Sequence, residues 1–159
     1  MNNWYRFRLG GLNSHLILTL MKDFENFGDI NKKDLIELNY SKETIDSISS
    51  LLEIDLEDEK EKYKRNKVRI LSYNSDEYPR MLKEISNPPP FLYVKGNGKF
   101  SNKSLAVVGT RKISSYGKLA CDKIVSGFNN KGITIVSGLA LGVDTYAHEI
   151  ALKGNSSVI

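Results

Sequence analysis

The sequence predicts an α/β chain: a parallel sheet wound with helices, preceded by a small all-helical domain. Three observations predict it. Apolar residues recur at helical spacing through the first 52 positions. Two apolar runs, SLAVVG (104–109) and ITIVSG (133–138), each end in glycine and open into a helix-like pattern, as strands of a parallel sheet do. Between these regions EIDLEDEKEKYKRNK (53–67) is almost wholly charged and switches from acidic to basic, which suits a helix extension or linker. The predicted domains are therefore residues 1–60, helical, and residues 63–159, the sheet domain.

In the first domain, HLILTLMKDF sets Leu16, Leu20 and Phe24 on one face, with Ile17 and Met21 in the same stripe. Asn31 is a cap candidate ahead of Leu35, Ile36 and Leu38. Ser41 opens a third helix carrying Ile45, Ile48, Leu51 and Leu52. Trp4 and Tyr5 are expected in packing rather than as stacking platforms.

From Val68 the pattern changes. VRILSY is a strand, RMLKEI a short helix, and NPPPF stops that helix because proline lacks the amide donor and restricts its predecessor. FLYVKG is a further strand, closed by Gly96-Asn97-Gly98. SLAVVG reads as a strand buried on both faces. The next helix carries Leu119, Ile124, Val125 and Phe128, with Gly132 predicted to end it. After ITIVSG, VDTYAHEIALK is a helix followed by Gly154, and NSSVI begins a third parallel strand. The sheet is expected to be incomplete, truncated at that strand, with right-handed crossovers.

Composition narrows the function. No run of about 18 apolar residues could span a bilayer, and the N-terminus lacks the basic-then-apolar layout of a signal peptide. With one cysteine, Cys121, this suggests the cytoplasm. That cysteine and two histidines cannot supply a zinc site at any usual spacing, and no cofactor is indicated. Residues 1–62 carry 8 Lys/Arg against 13 Asp/Glu, and residues 63–159 carry 15 against 6. A basic second part suits a polyanion, although lysines that merely keep a domain soluble would look the same.

The two strand–glycine–helix junctions carry the chemistry. Ligands of such sheets bind at the carboxyl ends of the strands. Gly109 and Gly138 let the chain turn there, and helices starting near Ser115 and Gly142 aim unpaired amides at the crevice. Arg111 adds a planar fork for phosphate and Lys112 a second charge. Thr110, Ser114, Ser115 and Ser137 offer hydroxyls. Gly109 and Gly117 stand too far apart for a Walker loop, in which a Lys-Ser/Thr pair must also follow. The second strand ends in Ser137-Gly138, where a dinucleotide site needs an acid. No catalytic group is assigned: Asp144 reads as a helix-start acid, His148 as a packing contact and Cys121 as a small buried residue. Tyr116 could stack on a base or contact the helix entry.

GTRKISSYG, followed after one helix by IVSGLALGVDTYAHEIAL, resembles the DprA/Smf DNA-processing family, whose members carry a strand-then-GTR loop and an SGLAxGID-type loop in an extended Rossmann-like domain. DEYPRMLKEISNPPPFLYVKGN resembles the family's lead-in. The first domain occupies the place of a SAM-like or helix-hairpin-helix-like domain, where LGGLNSHLILTL keeps only Gly11 of a Gly-x-Gly hairpin. The resemblance implies single-stranded DNA binding in natural transformation, protection of incoming DNA, and help in loading the RecA recombinase. It implies a site of Gly109, Thr110, Arg111, Lys112, Ser137 and Gly138, with Leu141 at a position often basic in relatives. It also implies a homodimer in a longer chain, since the family's dimerisation and recombinase contacts depend on the later part of the domain. The competing expectation is a nucleotide-binding or nucleotide-hydrolysing enzyme of related fold, which would need a glutamate on a later strand.

Overall fold

The computed structural model describes residues 2–96, 100 and 103–159. Asn97 and Gly98, expected to close a strand, lie outside the described residues. The chain divides into two compact units, residues 1–96 and 97–159.

The first unit begins with α1 (Tyr5–Leu9), which periodicity does not single out because it is barely one turn long. Then come α2 (Ser14–Asp23), α3 (Lys32–Glu37) and α4 (Lys42–Leu51). Their starts follow from capping. The Asn13, Asn31 and Ser41 side chains accept from the amides of Leu16, Asp34 and Thr44, satisfying donors that a helix leaves unpaired. The predicted stripe is the one that packs: Ile17, Leu20, Leu35 and Ile48 are fully buried together with Phe7. Each such side chain contributes about 1.5–3 kcal/mol through burial. Trp4 and Tyr5 are core residues, as expected.

The charged segment is helical, α5 (Glu57–Arg65), with acids in its first turn and bases in its last, the polarity that the helix dipole favours. The next two strands, β1 (Val68–Ser72) and β2 (Phe91–Lys95), pair antiparallel with each other, linked through the short helix α6 (Arg80–Lys83). The expected boundary near residues 60–63 is therefore corrected: the hairpin belongs to the helical unit and is no part of the parallel sheet. The cause is aromatic packing. Phe91 is buried in the helical core, its ring 5.2 Å from that of Tyr5. The Tyr5 hydroxyl lies 2.8 Å from that of Tyr93 and 3.1 Å from that of Tyr63, so α1, α5 and β2 meet on one phenol.

The second unit holds β3 (Ser104–Ala106), α7 (Ser115–Ser126), β4 (Thr134–Val136) and α8 (Val143–Lys153). β3 and β4 are parallel, and Ile135 also bridges Val158 in parallel. The Ile135 amide donates to the Ser157 carbonyl and the Ile159 amide to the Ile135 carbonyl, so the third strand begins where expected. Cys121, Val125, Ala147, Ile150 and Ala151 of the two helices share one core with Ile135, Leu105, Val107 and Val158.

Two expectations change here. β3 is not buried on both faces: Leu105 and Val107 point into the core, whereas Ala106 and Val108, of opposite parity, are exposed. α7 ends at Ser126 with Gly127 as its cap, before Gly132, and Leu119 and Ile124 are exposed.

Alkaline titration tests the packing of the first unit. Tyr78 is buried and donates to the Pro89 carbonyl at 2.7 Å. Burial, aided by neighbouring Tyr73, pushes its hydroxyl up from 10.0 to about 12. The folded state favours the neutral phenol, so this contribution is complete below pH 10 and is lost as pH rises towards about 12. Tyr78→Phe should cost about 1 kcal/mol at neutral pH. That deficit should shrink between pH 10 and 12 in urea melts of the two proteins.

Candidate nucleic-acid interface

The two junctions at the carboxyl ends of β3 and β4 are built against each other. Gly142, the N-cap of α8, has φ 90° and ψ −123°, which a side chain strongly disfavours. A Cβ there would lie 2.3 Å from the Thr110 carbonyl oxygen and 2.6 Å from the Arg111 carbonyl carbon and oxygen. The bare Gly142 backbone thus rests on the peptides of the first loop. Beside it the Val143 amide donates to the Thr110 carbonyl at 3.1 Å. Gly109 is held from the other side, since a Cβ on it would meet the Val143 side chain at 2.7 Å.

Most polar groups of the second loop are committed internally. The Gly138 amide donates to the carboxylate of buried Asp144 at 3.1 Å. The Thr145 amide and hydroxyl both donate to the Ala140 carbonyl, at 3.1 and 2.7 Å. Leu139 takes a positive φ of 56° within the turn so closed. The Ser137 hydroxyl donates to the Val107 carbonyl at 2.6 Å, tying the end of β4 to β3. The expectation that both helices offer unpaired amides therefore changes for α8, whose Val143 and Thr145 amides already have carbonyl partners.

The first loop is the open one. Among the described residues the amides of Gly109, Thr110 and Arg111 make no hydrogen bond, nor do those of Ser115 and Tyr116 at the start of α7. The Thr110 hydroxyl accepts from the Lys112 amide at 3.1 Å and turns the chain. The Ser114 hydroxyl caps α7 through the Gly117 amide. Gly109, Thr110, Arg111, Lys112 and Gly138 are exposed, Ser137 is half-buried, and neither Arg111 nor Lys112 joins an ion pair among the described residues. A loop with free amides, an arginine fork and a helix N-terminus is chemically an anion cradle.

Asp144 and His148 do not act on each other. His148 is buried with Nε2 3.2 Å from the Ile159 carbonyl, while Asp144 holds Gly138. Cys121 is buried, and burial raises its thiol pKa, away from nucleophilic use. Tyr116 is 80% exposed and Leu141 75% exposed, both beside the junctions. Sequence reasoning missed Val143 and the loop-packing role of Gly142; glycine immediately before a helix-start Val-Asp is the signal that could have marked them.

The family model described as "DNA recombination-mediator protein A" matches residues 69–159, more than half of the chain. The chain belongs to the DprA/Smf family. Its relatives include the DNA processing protein DprA of Streptococcus pneumoniae, 31% identical over 157 residues, 98% of this chain and 55% of that protein. Protein Smf of Borreliella burgdorferi is 34% identical over 135 residues, 84% of this chain and 42% of that protein. DprA of Bacillus subtilis is 33% identical over 99 residues, 61% of this chain and 33% of that protein. The X-ray structure of S. pneumoniae DprA matches with a TM-score of 0.73 at 29% identity, covering 99% of this chain and 56% of that one. The chain thus spans about a third to just over half the length of these DprA/Smf proteins. The match supports the α/β reading and membership of a DNA-processing family. No described helix is long and apolar enough to cross a membrane.

Two substitutions in the second unit of this DprA/Smf chain separate steric contact from backbone strain. Gly142→Ala should destabilise the second unit by more than about 2 kcal/mol, because a strained φ and a backbone clash add. Gly132→Ala, at φ +67° with nothing within 4 Å, should lose only about 1 kcal/mol. Hydrogen exchange of the β3 and β4 amides would measure both.

Proposed function

We propose that this chain binds single-stranded DNA through the β3–α7 loop, in the service of recombination. The observation that carries the reading is the run of unpaired amides at Gly109, Thr110 and Arg111, beside an Arg111 side chain with no ion-pair partner among the described residues. Arg111 grips a backbone phosphate with its two-pronged guanidinium, and Lys112 adds charge. The amides of Gly109 and Thr110 complete the cradle. Ser137 and Gly138 shape its wall from the second loop.

A phosphate grip of this kind is indifferent to base sequence, which suits a protein that must accept any incoming strand. Tyr116, exposed at the start of α7, supplies a ring on which a base can stack. On this reading the protein works in the cytoplasm, shields DNA taken up in natural transformation and hands it to the RecA recombinase. The family's description as a recombination mediator supports that hand-over. Homodimerisation is proposed for a longer chain only. Catalysis is no part of the proposal. Asp144 and His148, the acid–base candidates beside the loops, hold separate backbone groups.

Anisotropy titrations with labelled oligothymidylate test this function. Arg111→Ala should weaken binding to every single strand tried and reduce the slope of log affinity against log salt by about 0.7, one phosphate's share. Unchanged affinity and slope would remove Arg111 from the interface.

A further inference from the structure

We infer that the first unit carries a second contact for single-stranded DNA, formed by the Tyr63–Tyr93 ring pair and the basic end of α5. The inference rests on the reading of the chain as a single-strand binder but uses none of the residues of the β3–α7 loop.

From Lys60 to Arg69 six of ten residues are basic and one is acidic, so this stretch departs from the acidic balance of the helices before it. Part of that charge is neutralised: Lys60 pairs with Glu57, Lys62 with Glu59 and Arg69 with Glu77. Lys64, Arg65, Lys67 and, across the hairpin, Lys95 join no ion pair among the described residues and are exposed. The helix dipole accounts for bases in the last turn of α5. It does not account for Lys67, which lies beyond the helix at φ 53°, or for Lys95 at the end of β2. The register sets Lys95 opposite Val68 and Tyr93 opposite Ile70, so Lys95 and Tyr93 project from the same face, with Lys67 at the same end of the hairpin.

The same end presents aromatic surface. Tyr63 and Tyr93 lie 5.6 Å apart at 36°, and Tyr93 is 49% exposed. Their hydroxyls are held by Tyr5, so the rings are fixed before any ligand arrives. A cleft of about 220 Å³ runs beside Tyr63, lined by Tyr63, Val68, Arg69 and Ile70. Aromatic rings with fixed faces, flanked by unpaired cations, make the stacking-plus-phosphate site that unpaired nucleotides need and duplexes, with their bases already stacked, do not.

The test uses the whole chain and an oligothymidylate of about 15 nucleotides carrying iododeoxyuridine. Ultraviolet cross-linking should attach it to Tyr63 or Tyr93, and the adduct should persist in Arg111→Ala. Neutralising Lys64, Arg65, Lys67 and Lys95 together to Gln should lower affinity at least tenfold at low salt. It should also reduce the salt slope by as much as about 3, given a slope of about 0.7 per phosphate on a single strand. These are surface positions, so circular dichroism should show the quadruple variant folded. If the quadruple variant binds unchanged and no adduct forms on either tyrosine while Arg111→Ala is weakened, the second contact is overturned and the loop site stands. If Arg111→Ala binds normally while the quadruple variant is weakened, the loop reading fails and this contact is the interface.

Discussion

Gly142 lying bare against the Thr110–Arg111 peptides is the contact on which the second unit's chemistry depends. It lets α8 start directly under the first loop, where the Val143 amide can reach the Thr110 carbonyl. A side chain at Gly142 would push the two loops apart and release the backbone from which Arg111 projects. The other glycines serve the same end. Gly109 leaves room for the Val143 side chain, and Gly138 brings its amide to Asp144. Glycines that look like a ligand's approach route are thus packing positions first.

That packing gives the junctions different roles. At the second junction the Gly138, Thr145 and Ser137 donors are all directed inward. The first loop, packed against that junction, keeps its Gly109, Thr110 and Arg111 amides free among the described residues. A buried donor without a partner would be costly, so free amides persist only where solvent or a ligand can reach them. The loop's exposure and the freedom of its amides are the same physical fact.

In the first unit the comparable constraint is the Tyr5 hydroxyl, which gathers Tyr63 from α5 and Tyr93 from β2. It explains why a hairpin whose residues read as part of the sheet domain folds onto the helices. β1 and β2 need a partner for their apolar face, and the aromatic edge of the helical core, with Tyr5 against Phe91, supplies it.

Much of this was legible in the residues. The buried stripes of α2 and α4, the Asn31 and Ser41 caps, and the start of a parallel strand near Val158 all depend on neighbours a few positions away, and short-range patterns record such neighbours directly. The two strand–glycine–helix junctions were legible for the same reason. The allegiance of β1 and β2, the exposed face of β3, the early end of α7 and the division of labour between the loops were not. Each depends on groups distant in sequence meeting in space: Tyr5 with Phe91 and Tyr93, Gly142 with Thr110, Val143 with Gly109. The sequence by itself determined which segments become helix or strand and where the two strand–helix junctions fall. Only the tertiary structure decided which loop stays open, because an amide's availability depends on whether a carbonyl or carboxylate from elsewhere in the fold has already taken it.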